Sequence, residues 1–332
     1  DGTSAGTQLL VDLNQNGRSW PDNFAPFRGG ALFSADDGVT NVELWFTDGT
    51  AAGTRLVKDI WPGLDASRPQ NLFPTSGGVV LFAANDGASG YELWQTDAST
   101  GGTSQVADIR APQPGSSLDA RPQRFTATLG GRRVFSADDG VHGVEPWSTD
   151  GTNAGTVLLG DINPNQADSN PSNFVASGGL VWFSANDGLD GYELWTTNGT
   201  PAGTRRVADI FPFTQGSQPQ QMTPLDGGVL FSADDGQHGR ELWFSDGTVA
   251  GTRLVADLVA GRSGSDPDRL TVHGDRVFFG CDDVVHGREL WVTDGTPAGT
   301  RLVVDLQPGG TGSFPDQLVS LGDDLLFVAN DG

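Results

Sequence analysis

One sequence motif, Glu-Leu-Trp-x-x-Asp-Gly-Thr, returns about every 48 residues and constrains the fold more than any other feature. Its first copy runs from Glu43 to Thr50. Five related copies follow, with glutamate at Glu92, Glu145, Glu193, Glu241 and Glu289 and tryptophan at Trp94, Trp147, Trp195, Trp243 and Trp291. A fixed period of this length indicates that one small structural unit is repeated along the chain.

The composition favours short strands joined by tight turns. Among 332 residues there are 48 glycines and 19 prolines, and only 36% of the residues are hydrophobic. No segment shows sustained helical periodicity, and no run of about 18 apolar residues occurs, so we expect no membrane insertion. Because the repeat is uninterrupted, we expect one domain over residues 1–332, with repeats starting near residues 1, 48, 97, 150, 198, 246 and 294.

The repeat over residues 246–293 shows the expected element order. A turn rich in glycine precedes a strand-like segment at 253–258, and a polar loop then leads to a short strand at 270–272. Two further strands follow at 276–279 and 288–292, and we call the last one the Trp strand. Four short antiparallel strands in about 48 residues are typical of one blade of a β-propeller.

Seven copies of the other repeat elements predict seven blades. A loop proline recurs at Pro21, Pro69, Pro122, Pro171, Pro219, Pro267 and Pro315, whereas the Trp strand has six copies. We therefore predict an all-β, seven-bladed β-propeller of four-stranded antiparallel blades. Residues 8–13 should form the outer strand of the blade begun near 317–329, closing the ring by pairing of the N- and C-terminal segments. An open solenoid is the alternative, but the sequence shows no polar caps.

These residues resemble the bacterial family named after the ELWxxDGT repeat, which occurs in tandem in large secreted or surface proteins. The resemblance covers essentially the whole chain. It implies a propeller-like array and a location outside the cell or in the outer envelope of a bacterium, and it implies no catalytic residues. Individual copies depart from the pattern at Pro146, at Asn198 and at Ala98.

The net charge of −23 argues against a nucleic-acid partner, because phosphates would be repelled. Lys58 is the single lysine of the chain. The acidic surface is consistent with a solvated exterior or with cation binding.

Aromatic and polar loop residues are the candidate ligand contacts. Tryptophans repeated in every copy, such as Trp45, are expected to pack in the core. Trp20 and Trp61 instead lie in loops after a strand that ends in aspartate, where they could contact a ligand. The start of each innermost strand carries a polar residue, and these should surround the mouth of the channel: Asn23, Asn71, Arg124, Asn173, Gln221, Arg269 and Gln317.

Two loops have the alternate oxygen spacing of a calcium loop. Asp12, Asn14 and Asn16 precede Gly17, but position twelve of this loop is Asn23 rather than glutamate. The second loop repeats the spacing without the glycine, at Asp161, Asn163 and Asn165. We predict calcium as a possible cofactor, and the alternative is that these groups cap turns.

Catalysis finds little support in the sequence. No nucleophile elbow in a strand–turn–helix context is present, and His142, His238 and His286 occur once per blade in only three blades. We therefore predict a non-enzymatic extracellular binding or scaffolding propeller, with a protein partner or a surface glycan as ligand, acting in protein assembly or adhesion. The alternatives are a lectin-like, carbohydrate-binding propeller and a glycoside hydrolase that uses channel carboxylates.

Overall fold

The computed structural model describes residues 3–63, 65–111, 119–126 and 130–332. These residues form 25 strands and a single 3-10 turn at Pro201–Gly203, so the all-β prediction is confirmed. Within the described residues, no helix has the length and apolar character needed to cross a membrane. The chain divides into two compact units, Asp1–Leu158 and Leu159–Gly332.

The first unit contains three antiparallel sheets. The first sheet consists of β1 (Asp22–Phe27), β2 (Gly30–Asp36), β3 (Val42–Thr47) and β4 (Arg55–Lys58). The second consists of β5 (Gln70–Pro74), β6 (Val80–Asn85), β7 (Tyr91–Thr96) and β8 (Ser104–Ala107). The third consists of β9 (Arg133–Asp138), β10 (Val144–Thr149) and β11 (Val157–Leu158).

The second unit contains four sheets. The fourth sheet of the chain consists of β12 (Ser172–Ser177), β13 (Leu180–Asn186), β14 (Tyr192–Thr197) and β15 (Arg205–Ala208), and the fifth of β16 (Gln220–Leu225), β17 (Gly228–Asp234), β18 (Arg240–Ser245) and β19 (Arg253–Ala256). The sixth consists of β20 (Asp268–His273), β21 (Arg276–Asp282), β22 (Arg288–Thr293) and β23 (Arg301–Val304), and the seventh of β24 (Asp316–Leu321) and β25 (Asp324–Val328). Strands consecutive in the chain are neighbours in every sheet.

Each sheet is one blade, and the core lies between successive blades. In the first unit, Leu32 and Leu44 of the first sheet pack in one cluster with Phe82 and Trp94 of the second. The repeated tryptophans belong to these clusters, and Trp45 retains only 7% of its accessible surface. The prediction that the repeated tryptophan is a core residue is therefore confirmed, and the seven repeats form the blades of a β-propeller.

Among the residues that the structure describes, two blades have fewer than the predicted four strands. In the third, a single bridge from Gln123 to Ser136 occupies the place of the inner strand, and the seventh contains β24 and β25 alone. The prediction of a strand at 8–13 is wrong for the described residues, because no regular strand forms there. The other outer strands pair with a Trp strand, and the sequence has no seventh copy of that strand. Ring closure stays a prediction.

Candidate ligand-binding cleft

The glutamate of the repeat is a buried tie between successive blades. Both Glu43 and Ser67 are fully buried. The Glu43 carboxylate accepts hydrogen bonds from the Ile60 backbone N–H (2.9 Å), the Ser67 N–H (2.9 Å) and the Ser67 hydroxyl (2.5 Å). The Ser67 carbonyl in turn accepts from the Asn85 N–H of the next blade at 3.0 Å. The same serine tie recurs at Glu193–Ser217, Glu241–Ser265 and Glu289–Ser313.

The sequence alone assigns no role to these glutamates, and the structure shows that the fold itself uses their carboxylates. Their oxygens are committed to backbone and serine donors, as buried carboxylates must be. The missed indication was the fixed spacing of 24 residues from Glu43 to Ser67. Burial raises the pKa of Glu43, and the hydrogen bonds from Ser67 oppose that rise.

The residue after each of these serines projects from a bend before the repeated proline. Arg68 is exposed between the buried residues Ser67 and Pro69, and its backbone N–H donates to the Val42 carbonyl at 3.1 Å. Its φ of 43° lies in the left-handed region. All seven copies have φ between 43° and 52°, and we call them the bend row: Trp20, Arg68, Arg121, Asn170, Gln218, Asp266 and Phe314.

The predicted channel residues lie two positions after each repeated proline, at a bulge that opens the inner strand in six of the seven blades. All seven have left-handed φ values between 51° and 57°: Asn23, Asn71, Arg124, Asn173, Gln221, Arg269 and Gln317. Several connect successive blades. The Asn71 side-chain amide donates to the Pro122 carbonyl at 3.1 Å, and the Arg269 Nε donates to Asp316 at 2.7 Å. These contacts position the inner strands, so the predicted channel residues have a structural role in part.

The repeated aspartates of the turns hold their own backbone. The Asp48 carboxylate accepts hydrogen bonds from the Thr50 hydroxyl (2.7 Å) and N–H (2.9 Å), and these bonds lower its pKa. In another turn, the Asp235 carboxylate contacts His238 Nδ1 at 2.7 Å, which raises the histidine pKa. His142 and His286 are paired in the same way. No group of three or more His, Cys, Asp or Glu side chains that could hold a metal occurs among the described residues.

The side chains of the predicted calcium loops contact the loops themselves. The Asn14 amide donates to the Arg18 carbonyl at 3.4 Å, and its oxygen accepts from the Asn16 N–H at 3.3 Å. In the second loop, the Asn163 amide donates to the Asp168 carbonyl at 3.0 Å. Asp12 and Asp161 are exposed. An amide oxygen has a second lone pair, so calcium binding stays a prediction.

The two tryptophans singled out by sequence lie in one cleft region between the first and second blades. Trp20, Asn23, Arg68 and Tyr91 line a cleft of about 340 Å³. Trp61 lines an adjoining cleft of about 320 Å³, to which Arg68 and Tyr91 also contribute. We call the two together the aromatic cleft. Sequence analysis missed Arg68 and Tyr91, since nothing in their local sequence shows that they face these loops.

Both tryptophans occupy loop positions that recur in the other repeats, where other residue types stand. Trp20 is the first member of the bend row, is 63% exposed, and has the Arg18 guanidinium 5.2 Å from its ring centre. Trp61 occupies the position that Asn14 holds in the preceding repeat. It packs so closely on Gly87 that a Cβ there would lie 2.4 Å from the indole nitrogen. Trp61 is therefore a fixed wall, whereas Trp20 is accessible.

Several solved structures resemble this chain at low sequence identity, whereas no protein-family model and no curated protein sequence matches it. The computationally designed Ika8 protein is 18% identical, with 98% of each chain covered and a TM-score of 0.40. A puromycin-hydrolyzing peptidase from Mycobacterium tuberculosis is 11% identical over 95% of this chain and 54% of its own, with a TM-score of 0.49. A gluconolactonase from Xanthomonas campestris is 13% identical over 84% of this chain and 87% of its own, with a TM-score of 0.35.

These likenesses carry no argument about activity, because every identity is below 20% and every TM-score is below 0.5. The chain also spans only 60% of a puromycin hydrolase that it resembles at 13% identity and a TM-score of 0.38.

Proposed function

We propose that the chain is a non-enzymatic binding propeller that acts outside a bacterial cell in protein assembly or adhesion. The observation that carries the proposal is the bend row. In each blade, one bend-row side chain lies just before the repeated proline, and its identity changes from blade to blade. A constant scaffold that presents variable side chains is how loop-borne binding surfaces are built. The resemblance to the ELWxxDGT-repeat family supports the extracellular location.

The use of the acidic residues supports binding over hydrolysis. A pair of catalytic carboxylates needs one group free to donate a proton and a second free to attack or to activate water. The repeated glutamates, such as Glu43, are fully buried, and the turn aspartates, such as Asp48, are hydrogen-bonded to their own loops. The glutamates and the turn aspartates of the repeat motif therefore have structural roles.

Carbohydrate binding is the second candidate, and the aromatic cleft favours it. Trp20, Trp61 and Tyr91 approach a polar cleft within the first unit, and the rims carry amide and carboxylate groups. Aromatic faces with a few placed polar groups are typical of small-molecule sites.

The test compares two triple variants in binding to immobilised polysaccharides and to intact bacterial cells. One variant replaces Trp20, Arg68 and Arg121 with serine. The control replaces Ala51, Asn153 and Val249, which are exposed at the opposite ends of the blades. We expect only the first variant to lose binding, with both melting temperatures retained. Equal binding by both variants would contradict the proposal, and shortening of the eluted polysaccharide would establish a hydrolase instead.

We also propose that calcium stabilises the loop at Asp12. A ligand that binds the folded state alone raises the melting temperature in proportion to the logarithm of its concentration. Millimolar calcium should therefore raise the melting temperature above its value in EDTA, and Asp12→Asn should make this increase smaller. Identical melting curves in calcium and in EDTA would exclude this role.

A further inference from the structure

We propose that the aromatic cleft binds a uronate-containing saccharide, with the carboxylate at Arg68 and the sugar rings against Trp20 and Trp61. This inference rests on the proposed binding function and on its second candidate, carbohydrate binding, since it names the ligand of the aromatic cleft. It draws on three features of the cleft: an unpaired guanidinium, accessible aromatic surface and a set of small polar groups.

The Arg68 guanidinium has no ion pair or hydrogen bond among the residues that the structure describes, although it is shared by both parts of the cleft. The chain has 42 acidic residues against 19 basic ones, so a carboxylate partner would be easy to supply. Arg121, the next member of the bend row, has such a partner in Asp119 at 3.1 Å. A guanidinium left open in a cleft matches the planar, bidentate geometry of a ligand carboxylate.

The aromatic surface suits a sugar ring, because the C–H face of a pyranose packs on an aromatic face. Trp61 is fixed against Gly87, so its surface is pre-organised. Trp20 is largely exposed although its backbone has a φ of 44°, which is costly for a bulky residue. Because all seven bend-row residues share this conformation, it is the exposed ring of Trp20 that marks the residue as a ligand contact.

The polar lining suits hydroxyl groups and restricts where a carboxylate can lie. Asn23, Asn41 and Asn85 can each donate and accept hydrogen bonds. Asp22 and Asp65 would repel a carboxylate placed beside them but can accept from sugar hydroxyls. Arg68 is the cationic residue that lines both clefts, and it is therefore the favourable place for the ligand carboxylate. Because Arg68 lies where the two clefts adjoin, a ligand of two or more sugar residues could occupy both.

The neighbouring cleft provides an internal comparison. This cleft has a volume of about 230 Å³ and is lined by Arg121, Asp119, Gln123 and Asp138. None of its lining residues in the described part of the chain is aromatic. Its arginine is already paired with a carboxylate. If an exposed arginine at the bend row were sufficient, both clefts would bind a uronate, whereas the proposal requires binding at Arg68 alone.

The experiment titrates the full chain by calorimetry with an oligogalacturonate and with a neutral galacto-oligosaccharide of equal length. We expect Arg68→Gln to weaken oligogalacturonate binding at least tenfold, without weakening binding of the neutral probe. Trp20→Ala and Trp61→Ala should weaken both probes, and Arg301→Gln, at the exposed start of β23 and outside the bend row, should change neither. Because Arg68 and Trp20 are exposed, these variants should keep the wild-type melting temperature.

Two outcomes separate this inference from the proposed function. Oligogalacturonate binding that is absent, or that Arg68→Gln leaves unchanged, overturns the uronate assignment. The proposed function survives that result if polysaccharide or cell binding is still lost in the Trp20, Arg68 and Arg121 triple variant. If that triple variant also binds like the wild type, the proposed function fails as well.

Discussion

At the scale of residues, the buried carboxylate that six of the seven repeats carry shows how the repeat is held together. Glu43 is inaccessible to water, yet it has backbone donors at Ile60 and Ser67 and a hydroxyl donor at Ser67. Burying an ionised group is costly unless hydrogen bonds compensate, and bonds to a charged acceptor are the stronger class. The carboxylate therefore fixes the loop between the blades, because the N–H and hydroxyl groups of that loop supply the hydrogen bonds that the buried carboxylate needs.

Replacing Ser67 with alanine should destabilise the fold by about 1.5–3 kcal/mol, since a hydrogen bond to a buried carboxylate is lost. Ser19 provides the matched control. It occupies the same repeat position, but its hydroxyl has no hydrogen bond within the described residues. Ser19→Ala should stay within about 0.5 kcal/mol of the wild type. Urea unfolding measures both, and equal losses in the two variants would refute the role of the tie.

The second blade lacks this serine and should therefore be sensitive to pH. Ala120 stands where the other blades have serine, and burial raises the pKa of Glu92 to about 8. The folded state thus holds a proton that the unfolded chain releases near pH 4.5. The stabilisation from this proton is complete below pH 4.5 and is lost as the pH rises towards 8. Between pH 5 and pH 9, we expect the free energy of unfolding of the wild type to fall by roughly 1–3 kcal/mol relative to that of Glu92→Gln.

Restoring the missing donor supplies the control for that prediction. Ala120→Ser places a hydroxyl near the carboxylate, which favours the charged form and should reduce the loss at high pH. Unfolding free energies at five pH values would measure the effect. Parallel curves for wild type and Glu92→Gln would show that Glu92 does not titrate in this range.

At the scale of elements, two adjacent glycines in one turn should respond oppositely to the same substitution. A Cβ on Gly102 would lie 2.0 Å from the Asp97 carboxylate, whereas a Cβ on Gly101 would meet nothing within 4 Å. Gly102→Ala should therefore cost about 1–3 kcal/mol through the clash. Gly101→Ala should stabilise the chain by about 0.4–1 kcal/mol by restricting the unfolded state. Thermal melts of the two variants decide the matter, and the same sign for both would contradict it.

The sequence predicted the strands and turns well because both depend on local residue types. The segment 288–292 lies within β22, and the Asp48 turn has the hydrogen bonds expected of aspartate before glycine. The bend row could not be foreseen, because nothing in Trp20 or Arg68 favours left-handed φ over extended backbone. At Arg68 the angle is set by the buried Ser67 and Pro69 on either side, and this is a tertiary effect.

The cleft was predicted only in part for a related reason. Trp20 and Trp61 were predicted as ligand contacts because exposed aromatic residues in polar loops indicate an interaction site. Arg68 and Tyr91 belong to a loop and a strand whose relation to these tryptophans appears only once two blades are packed together. Sequence spacing locates a residue within its own repeat, but predicting a site between two repeats also requires knowing how the two blades pack together.

At the scale of the whole molecule, burial is uneven among the blades of the second unit. Leu230 in the second unit is fully buried between blades, whereas Leu326, its counterpart in the last blade, is 52% exposed. Leu321 and Val328 on the same two strands are 62% and 58% exposed. In repeat arrays the stability of a unit is shared with its neighbours, so the two strands of the last blade should be the least protected from hydrogen exchange in the second unit.

The net charge predicts how salt acts on the whole fold. At pH 7 the charge is −23, and self-repulsion of this kind opposes the compact state. Raising the salt concentration shortens the range of repulsion from about 30 Å at 0.01 M to about 8 Å at 0.15 M. The melting temperature at pH 7 should therefore rise by several degrees over this range in sodium chloride with EDTA, which excludes a contribution from calcium. Near pH 4.2, where the net charge approaches zero, the same salt should have little effect. An equal rise at both pH values would mean that screening of the net charge is not the cause.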